Sequence, residues 1–364
     1  VRQTTVESVR RHPRAFNTPP RQAKRAERIL ESMSPTDPVS AASGPRIHHD
    51  PLAARRVFVA PDRADRPSEA DLAAGDDGAG CPFCAGNESA TPPDVLRAPA
   101  DRARAWQSRI VPNRYPVAVA PPPGAAALNT GGGFVRAAHG VHDVVIESAA
   151  HEHSVLAVEP AAWRDVWELC RLRLAMLGDR GDLAWATIFK NSGPAAGASL
   201  AHLHSQIVAI DFLPPALEAK MIAAERESFA ALLAAASAEG RIVREQDGLV
   251  ALVPHAPRQP YETWIVPRDP APHLHAAPAG HVAALADLTR WFVARLAAVA
   301  PGADYNWWLH QWPFAGHVSA RPDWHWHLEI LPRLAPLAGF ELGTGCHITT
   351  MMPAESARRL RGDA

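Results

Sequence analysis

The run His202-Leu203-His204-Ser205-Gln206 sets two imidazoles and a carboxamide at alternate positions. In an extended chain alternate residues share one face. A neutral imidazole is nucleophilic near pH 7, because its ordinary pKa of about 6.5 leaves one ring nitrogen unprotonated. His204 is therefore the candidate nucleophile. Gln206 can donate an amide hydrogen bond to a non-bridging phosphate oxygen as charge builds there, but it cannot act as a general acid. The pair suits phosphoryl chemistry with a leaving group that needs little protonation, such as a phosphate monoester with a second pKa near about 6. A sugar 1-phosphate fits; an alcohol or amine does not. Upstream, the chain turns through Asn191, Gly193, Gly197 and Ser199, small residues whose backbone amides can come close to a phosphate. The competing account is a glycine-rich loop leading into a strand whose polar face happens to carry His and Gln.

Cys81-Pro82-Phe83-Cys84 has the spacing at which two thiolates meet one tetrahedral metal. A buried or redox-active pair has the same spacing. No second C-x-x-C exists, so further ligands must come from elsewhere, and His151, His153 and His202 are the candidates. Each stands at or just after the end of a predicted strand. Each taken alone also reads as a surface or core histidine.

These residues need elements to hold them. Strands are predicted at Ala184 to Phe189 and His202 to Ile210, on either side of the small-residue loop. The chain then reads as two versions of one unit. Arg109-Ile110-Val111 opens the first and Arg241-Ile242-Val243 the second. Strands follow at Pro116 to Ala120 and Leu249 to Pro254, then at Asp143 to Glu147 and Glu262 to Val266. Amphipathic helices come next, at Pro160 to Leu177 and Ala277 to Val299. Each unit closes on His-x-His, His202/His204 and His325/His327. From Arg-Ile-Val to the second His is 95 residues in one and 86 in the other. The order predicts an α+β fold, an antiparallel sheet with helices packed on one side. Residues 1–45, rich in Arg, Pro and Ser with one possible helix from Arg21 to Met33, read as a flexible leader. The first half spans 46–215 and the second 216–364.

The bulk properties remove some classes. The formal net charge of −1 gives a nucleic-acid or anionic-membrane partner no support. No apolar run reaches the roughly 18 residues of a membrane helix. Four cysteines in 364 residues are too few for a disulfide scaffold and suit a reducing cytoplasm. Eighteen histidines and eleven tryptophans are high counts, and they cluster, most visibly in Trp308-Leu309-His310-Gln311-Trp312 and Trp324-His325-Trp326-His327.

Several motifs in this order resemble the galactose-1-phosphate uridylyltransferase family of the histidine-triad superfamily. They are Pro61-Asp62-Arg63-Ala64-Asp65-Arg66-Pro67, Cys81-Pro82-Phe83-Cys84, Val111-Pro112-Asn113-Arg114-Tyr115-Pro116, Ile146-Glu147-Ser148-Ala149-Ala150-His151, and the loop ending at Gln206. The resemblance runs from about Arg46 to Arg361. It implies two tandem histidine-triad-like halves, with Cys81, Cys84, His151 and His202 holding a structural zinc. It implies His204 as carrier of the nucleotidyl group and Gln206 as its phosphate ligand. Asn191, Gly197 and Ser199 would line the phosphates and Asn113 the nucleoside. Arg63 and Arg66 would reach a phosphate, in the family often from the partner subunit of a homodimer. His310, His325 and His327 resemble a second metal site of some members. Those members add a Glu or a second Cys pair after the nucleophile strand; here that stretch is Ala-rich, with Glu218 the nearby acid. Glu341 matches a sugar-hydroxyl acceptor, and His347 stands where the family has a Gln.

The leading expectation is a transferase that moves a nucleoside monophosphate from a nucleoside diphosphate sugar to a sugar 1-phosphate, as in galactose metabolism. The alternative is a nucleotide-sugar (ADP-sugar) or dinucleotide phosphorylase with inorganic phosphate as acceptor, which the Gly343-Thr344-Gly345 segment resembles. A non-catalytic nucleotide-binding zinc protein is the reading from another class. Hydrolases of the histidine-triad kind carry a third His where Gln206 stands.

Overall fold

The computed structural model describes residues 44–50, 55–65, 80–120 and 135–363. The expected leader and its helix fall outside these, apart from Gly44 and Pro45, and so does Arg66. In chain order the strands of the first half are β1 (Arg46–Asp50), β2 (Arg55–Val59), β3 (Leu96–Ala98), β4 (Ser108–Pro112), β5 (Val135–Ala137), β6 (Gly140–Ile146), β7 (Trp185–Ser192) and β8 (His204–Ile210). Those of the second are β9 (Ile242–Gln246), β10 (Leu249–Leu252), β11 (Thr263–Pro267), β12 (Tyr305–His310) and β13 (His327–Pro332). The helices are α1 (Pro160–Gly178), α2 (Pro215–Ala223), α3 (Phe229–Ala238), α4 (Ala279–Val299), α5 (Gly339–Thr344) and α6 (Pro353–Arg361). Three of them, α1, α2 and α6, open on a proline, whose missing N–H and fixed φ suit a first turn.

One antiparallel sheet runs through both halves in the order β3-β4-β6-β8-β7-β12-β13-β11-β10-β9. Read outward from the central β7–β12 pair, the two sides have the same order. Thus β4 corresponds to β10, β6 to β11, β8 to β13 and β7 to β12. The register agrees as well. Val144 lies opposite Gln206 and Ile146 opposite His204 in the first half, while Trp264 lies opposite Glu329 in the second. His327 is thereby the counterpart of His204, and Glu329 of Gln206.

This corrects two sequence expectations. Arg109-Ile110-Val111 lies on β4, but Arg241-Ile242-Val243 leads into β9, the counterpart of β3, so the shared tripeptide is one strand out of step. Pro116 to Ala120 is not a ladder strand; only Val119 makes an isolated bridge, to His139. Pro116 has no N–H to give, and the Val117 N–H donates to His142 Nδ1 at 3.1 Å instead of to a neighbouring strand.

The long helices α1 and α4 lie against one face of the sheet. Their apolar sides bury Trp163, Leu174, Leu285 and Phe292 against Ile188, Ile207, Leu309 and Leu328. Each such side chain contributes on the order of 1.5–3 kcal/mol on burial. Trp163 Nε1 donates to the Ala286 carbonyl at 3.1 Å, which ties α1 to α4. Alternation along β8 then sends His204 and Gln206 to the opposite face. There the small sheet β2-β1-β5 covers part of the surface, with Ile47 packed beside Trp185, Ile210 and Trp312.

Candidate active site

Cys81, Cys84, His151 and His202 converge just beyond the end of β8. Cys84 Sγ is 3.2 Å from His151 Nδ1, and both sulfurs are 3.5 Å from His202 Nδ1. The two Nδ1 atoms are 3.4 Å apart. Ligand radii of about 2.0–2.3 Å around a tetrahedral zinc give ligand–ligand edges of about 3.3–3.8 Å, so the donor set fits that ion. His202 Nε2–H donates to the Ser148 carbonyl at 2.9 Å, which leaves Nδ1, the nitrogen that faces the two sulfurs, unprotonated and able to ligate. Burial lowers the His202 imidazole to about 4, so the ring is neutral at pH 7. Burial, and then the neighbouring Cys81, push the Cys84 thiol up to about 11; a cation between the sulfurs reverses that preference. His153 stacks edge-on against His151, with ring centroids 5.0 Å apart, and is not in the four-residue set.

β8 starts at His204, two residues past His202. His204 Nδ1–H donates to the His202 carbonyl at 2.8 Å. The unprotonated nitrogen is therefore Nε2, and His204 lines a cleft of about 240 Å³ together with Gln206, Asn113, Tyr115, Phe83 and Ser199. Phe83, between the two cysteines, sits 5.4 Å from the His204 ring. Asn113 is held by its own turn, where Oδ1 accepts the Tyr115 N–H at 2.8 Å. Arg63 reaches the rim and donates to the Tyr115 carbonyl at 2.5 Å.

The loop before β8 is shaped by close approach. A Cβ on Gly193 would lie 1.8 Å from Asp304 Oδ1, and its φ of 87° is one that L side chains rarely adopt. Asp304 uses that room to accept the Ala195 N–H at 2.6 Å. Asn191 Nδ2 reaches the Gly197 carbonyl at 3.4 Å, and Gly197 is left-handed at φ 81°. Beneath His204 lies a polar cluster that the sequence pattern did not single out. Lys190 Nζ donates to Glu147 Oε2 at 2.5 Å and to the His204 carbonyl at 2.8 Å, and Ser205 Oγ donates to Glu147 Oε1. Both charged side chains are 1% exposed. A second missed residue is His142. Its Nδ1 accepts from the Val117 N–H, which directs the Nε2 proton toward Gln206 Oε1 at 2.9 Å, with Asn113 Nδ2 3.1 Å from the same nitrogen. The only sequence signal for either was a charged or polar residue inside an apolar strand pattern.

In the second half the structure groups His310 and His327 with Glu329, not with His325. His325 precedes β13 and turns away, donating from Nδ1 to the Pro267 carbonyl at 2.8 Å and stacking on Phe229. Lys220 of α2 lies against the group, 2.8 Å from His327 Nε2. Glu218 pairs instead with Arg56 at 3.7 Å. Glu341 is on α5, where it accepts the Ala338 N–H at 3.1 Å, and His347 is exposed beyond that helix; neither lines the His204 cleft of the same chain.

The N-terminal domain model of galactose-1-phosphate uridyl transferase matches residues 128–214, and a domain of unknown function (DUF4921) matches residues 177–362. An ADP-glucose phosphorylase of Arabidopsis thaliana is 30% identical over 332 residues, 87% of this chain and 92% of the relative. A galactose-1-phosphate uridylyltransferase of Thermotoga maritima is 28% identical over 68% of this chain and 82% of its own length. The crystal structure of an Arabidopsis ADP-glucose phosphorylase with bound ADP-glucose superposes with a TM-score of 0.69 at 29% identity, covering 88% of this chain and 99% of that one. A uridylyltransferase structure gives 0.70 at 26% identity, covering 87% and 97%. With this shared fold, and with the His204–Gln206 pair at the head of β8, the chain belongs to the galactose-1-phosphate uridylyltransferase family.

Proposed function

We propose that the protein is a nucleotide-sugar phosphorylase: it transfers a nucleoside monophosphate from a nucleoside diphosphate sugar to inorganic phosphate through a nucleotidyl-His204 intermediate. The choice of phosphate as acceptor is carried by the similarity to the ADP-glucose phosphorylase over nearly all of both chains. It replaces transfer to a sugar 1-phosphate, the leading expectation from the sequence. The covalent scheme is supported by the His204 tautomer, with Nδ1–H committed to the His202 carbonyl.

In the first step His204 Nε2 attacks the α-phosphorus. The bond to the bridging oxygen breaks, and sugar 1-phosphate leaves as a dianion without needing a proton. Gln206, with its carbonyl oxygen engaged by His142, presents its amide N–H to a non-bridging oxygen of the α-phosphate. In the second step an oxygen of inorganic phosphate attacks the same phosphorus and His204 departs, giving the nucleoside diphosphate. Asn191, Gly197 and Ser199 line the phosphate path, and Asn113 borders the nucleoside end of the cleft. Zinc at Cys81, Cys84, His151 and His202 would anchor the residue two positions before the nucleophile. The thiol pair suits a reducing cytoplasm.

The reading includes a homodimer. Phe340, Leu342, Ile348 and Met352 are 53%, 72%, 65% and 74% exposed and flank Glu341 and His347. A second copy would cover this apolar ridge and receive Glu341 and His347 near its own cleft.

The test is a screen of nucleoside diphosphate sugars for sugar 1-phosphate release, with phosphate or a hexose 1-phosphate as acceptor. The expected result is nucleoside diphosphate formed only with phosphate, and protein-bound label from an α-labelled donor. Exchange with hexose 1-phosphate but not phosphate restores the uridylyltransferase reading. Tight binding without turnover supports a non-catalytic nucleotide-binding protein.

A further inference from the structure

His310, His327 and Glu329 have the donor types of a metal site, and their ligand atoms lie within 4.8 Å of one another. The middle of that group already holds a cation. The Lys220 ammonium hydrogen-bonds Glu329 Oε1 and lies 2.8 Å from His327 Nε2. An ammonium only donates, so His327 Nε2 is the unprotonated acceptor, and its Nδ1–H goes to the His325 carbonyl at 3.1 Å. His310 Nε2 is 3.3 Å from the same Glu329 oxygen. Two of the three atoms that would ligate an ion thus already contact a nitrogen that the protein supplies, and the third, His310 Nε2, accepts the Trp308 Nε1–H at 2.9 Å.

The charge count agrees. Arg258 Nη2 bonds Glu262 at 2.5 Å and Glu329 at 2.6 Å. Lys220 and Arg258 therefore balance Glu262 and Glu329, two carboxylates 2% and 3% exposed. A divalent ion added to this balanced group would leave buried charge uncompensated. An ion that displaced Lys220 would also pull its ammonium from above the Trp264 ring, 4.6 Å away.

We infer that Lys220 is a built-in cation standing in the place of a second metal, so that the C-terminal group is an ion-pair cluster that fastens α2 to β13 without metal. The assignment does not depend on the reaction proposed above, although the count of one zinc per chain rests on the cysteine set.

The experiment measures metal per chain by elemental analysis of the full-length protein after equilibration with zinc and desalting. One equivalent is expected, unchanged by His310→Gln. Lys220→Ala should raise the count to two, and Lys220→Ala combined with His310→Gln should return it to one. Wild-type protein with two equivalents, falling to one in His310→Gln, overturns the inference. So does a folded Lys220→Ala variant that stays at one. If that variant does not fold, the wild-type and His310→Gln pair still decides. A wild type with no zinc that gains one on Lys220→Ala would remove the zinc reading of the cysteine set and support the Lys220 assignment.

Discussion

The two halves of the sheet carry the same strand order and the same His-x-His entry, yet the apolar floor beside His204 opens into a cleft and the corresponding floor of the second half lies under a helix. In the first half Val111, Val144 and Ile146 form an apolar floor bordered by Phe83 and Trp106. The matching floor of the second half, Val250, Leu252 and Val266, is covered by Leu233 and Ala236 of α3. Both second histidines donate Nδ1–H to the carbonyl of the first, at 2.8 and 3.1 Å. The difference lies two residues on. Gln206 is neutral and offers an N–H, whereas Glu329 carries a charge that would repel a phosphate and is neutralised by Lys220 and Arg258. A shared backbone and a shared tautomer therefore do not make a site. The halves differ in what covers the strand floor and in the side chain two positions beyond the histidine.

The most severe way to break the comparison is to remove each histidine in turn. His204→Gly should lower kcat/KM on the order of 10⁴-fold or more and abolish covalent labelling. His327→Gln should keep labelling, with kcat/KM within about tenfold, and should show its cost in thermal stability. Equal losses of activity would mean that the second histidine also takes part in the chemistry.

The buried cations rank next. Lys190→Met leaves Glu147 charged with its partner gone at 1% exposure, and about 3–5 kcal/mol of stability should be lost in denaturant unfolding. Lys220 is 27% exposed, and Arg258 still holds Glu329 after its removal, so Lys220→Ala should cost about 1–3 kcal/mol. A reversed order would mean that the first-half ion pair is the weaker of the two.

Gln206 tests the one residue that separates the halves. Gln206→Ala removes a donor aimed at developing charge and should cost about 10²–10³ in kcat. Gln206→Glu copies the second half and should cost at least as much, because the carboxylate opposes the phosphate. A Glu variant more active than the Ala variant would point to a protonated carboxyl donating in the amide's place.

Much of this was legible in the sequence because it is local. The spacing of Cys81 and Cys84, the alternation of His204 and Gln206, and the apolar periods of α1 and α4 are each set within a few residues. The repeat was legible too, but its phase was not: Arg-Ile-Val recurs on strands that do not correspond, and only ladder pairing reveals the slip. Lys190, Glu147 and Lys220 were missed for a different reason. A buried charge is read from its partner, and Lys190 meets Glu147 across 43 positions and Lys220 meets Glu329 across 109. The substitution of Glu329 for His325 in the second cluster is of the same kind: His325 lies before β13 and is held by the Pro267 carbonyl, 58 positions away, whereas Glu329 is on the strand beside His327.

The smallest expected effect concerns how Gln206 is aimed. A carboxamide can face the phosphate with either end, and only its N–H₂ end helps. His142 settles the choice: the Val117 N–H fixes its tautomer, and Nε2–H then holds Gln206 Oε1 at 2.9 Å. In the second half Glu329 has two equivalent oxygens and needs no such partner. His142→Phe should therefore lower kcat about tenfold, roughly 1.4 kcal/mol and the worth of one hydrogen bond, with a smaller change in KM. His142→Gln, which keeps an N–H donor, should recover part of the loss in single-turnover labelling. In the Gln206→Ala background, His142→Phe should have no further effect on kcat, because the amide it orients is gone. Additive losses in that double variant would mean that His142 acts on the substrate by a route other than Gln206.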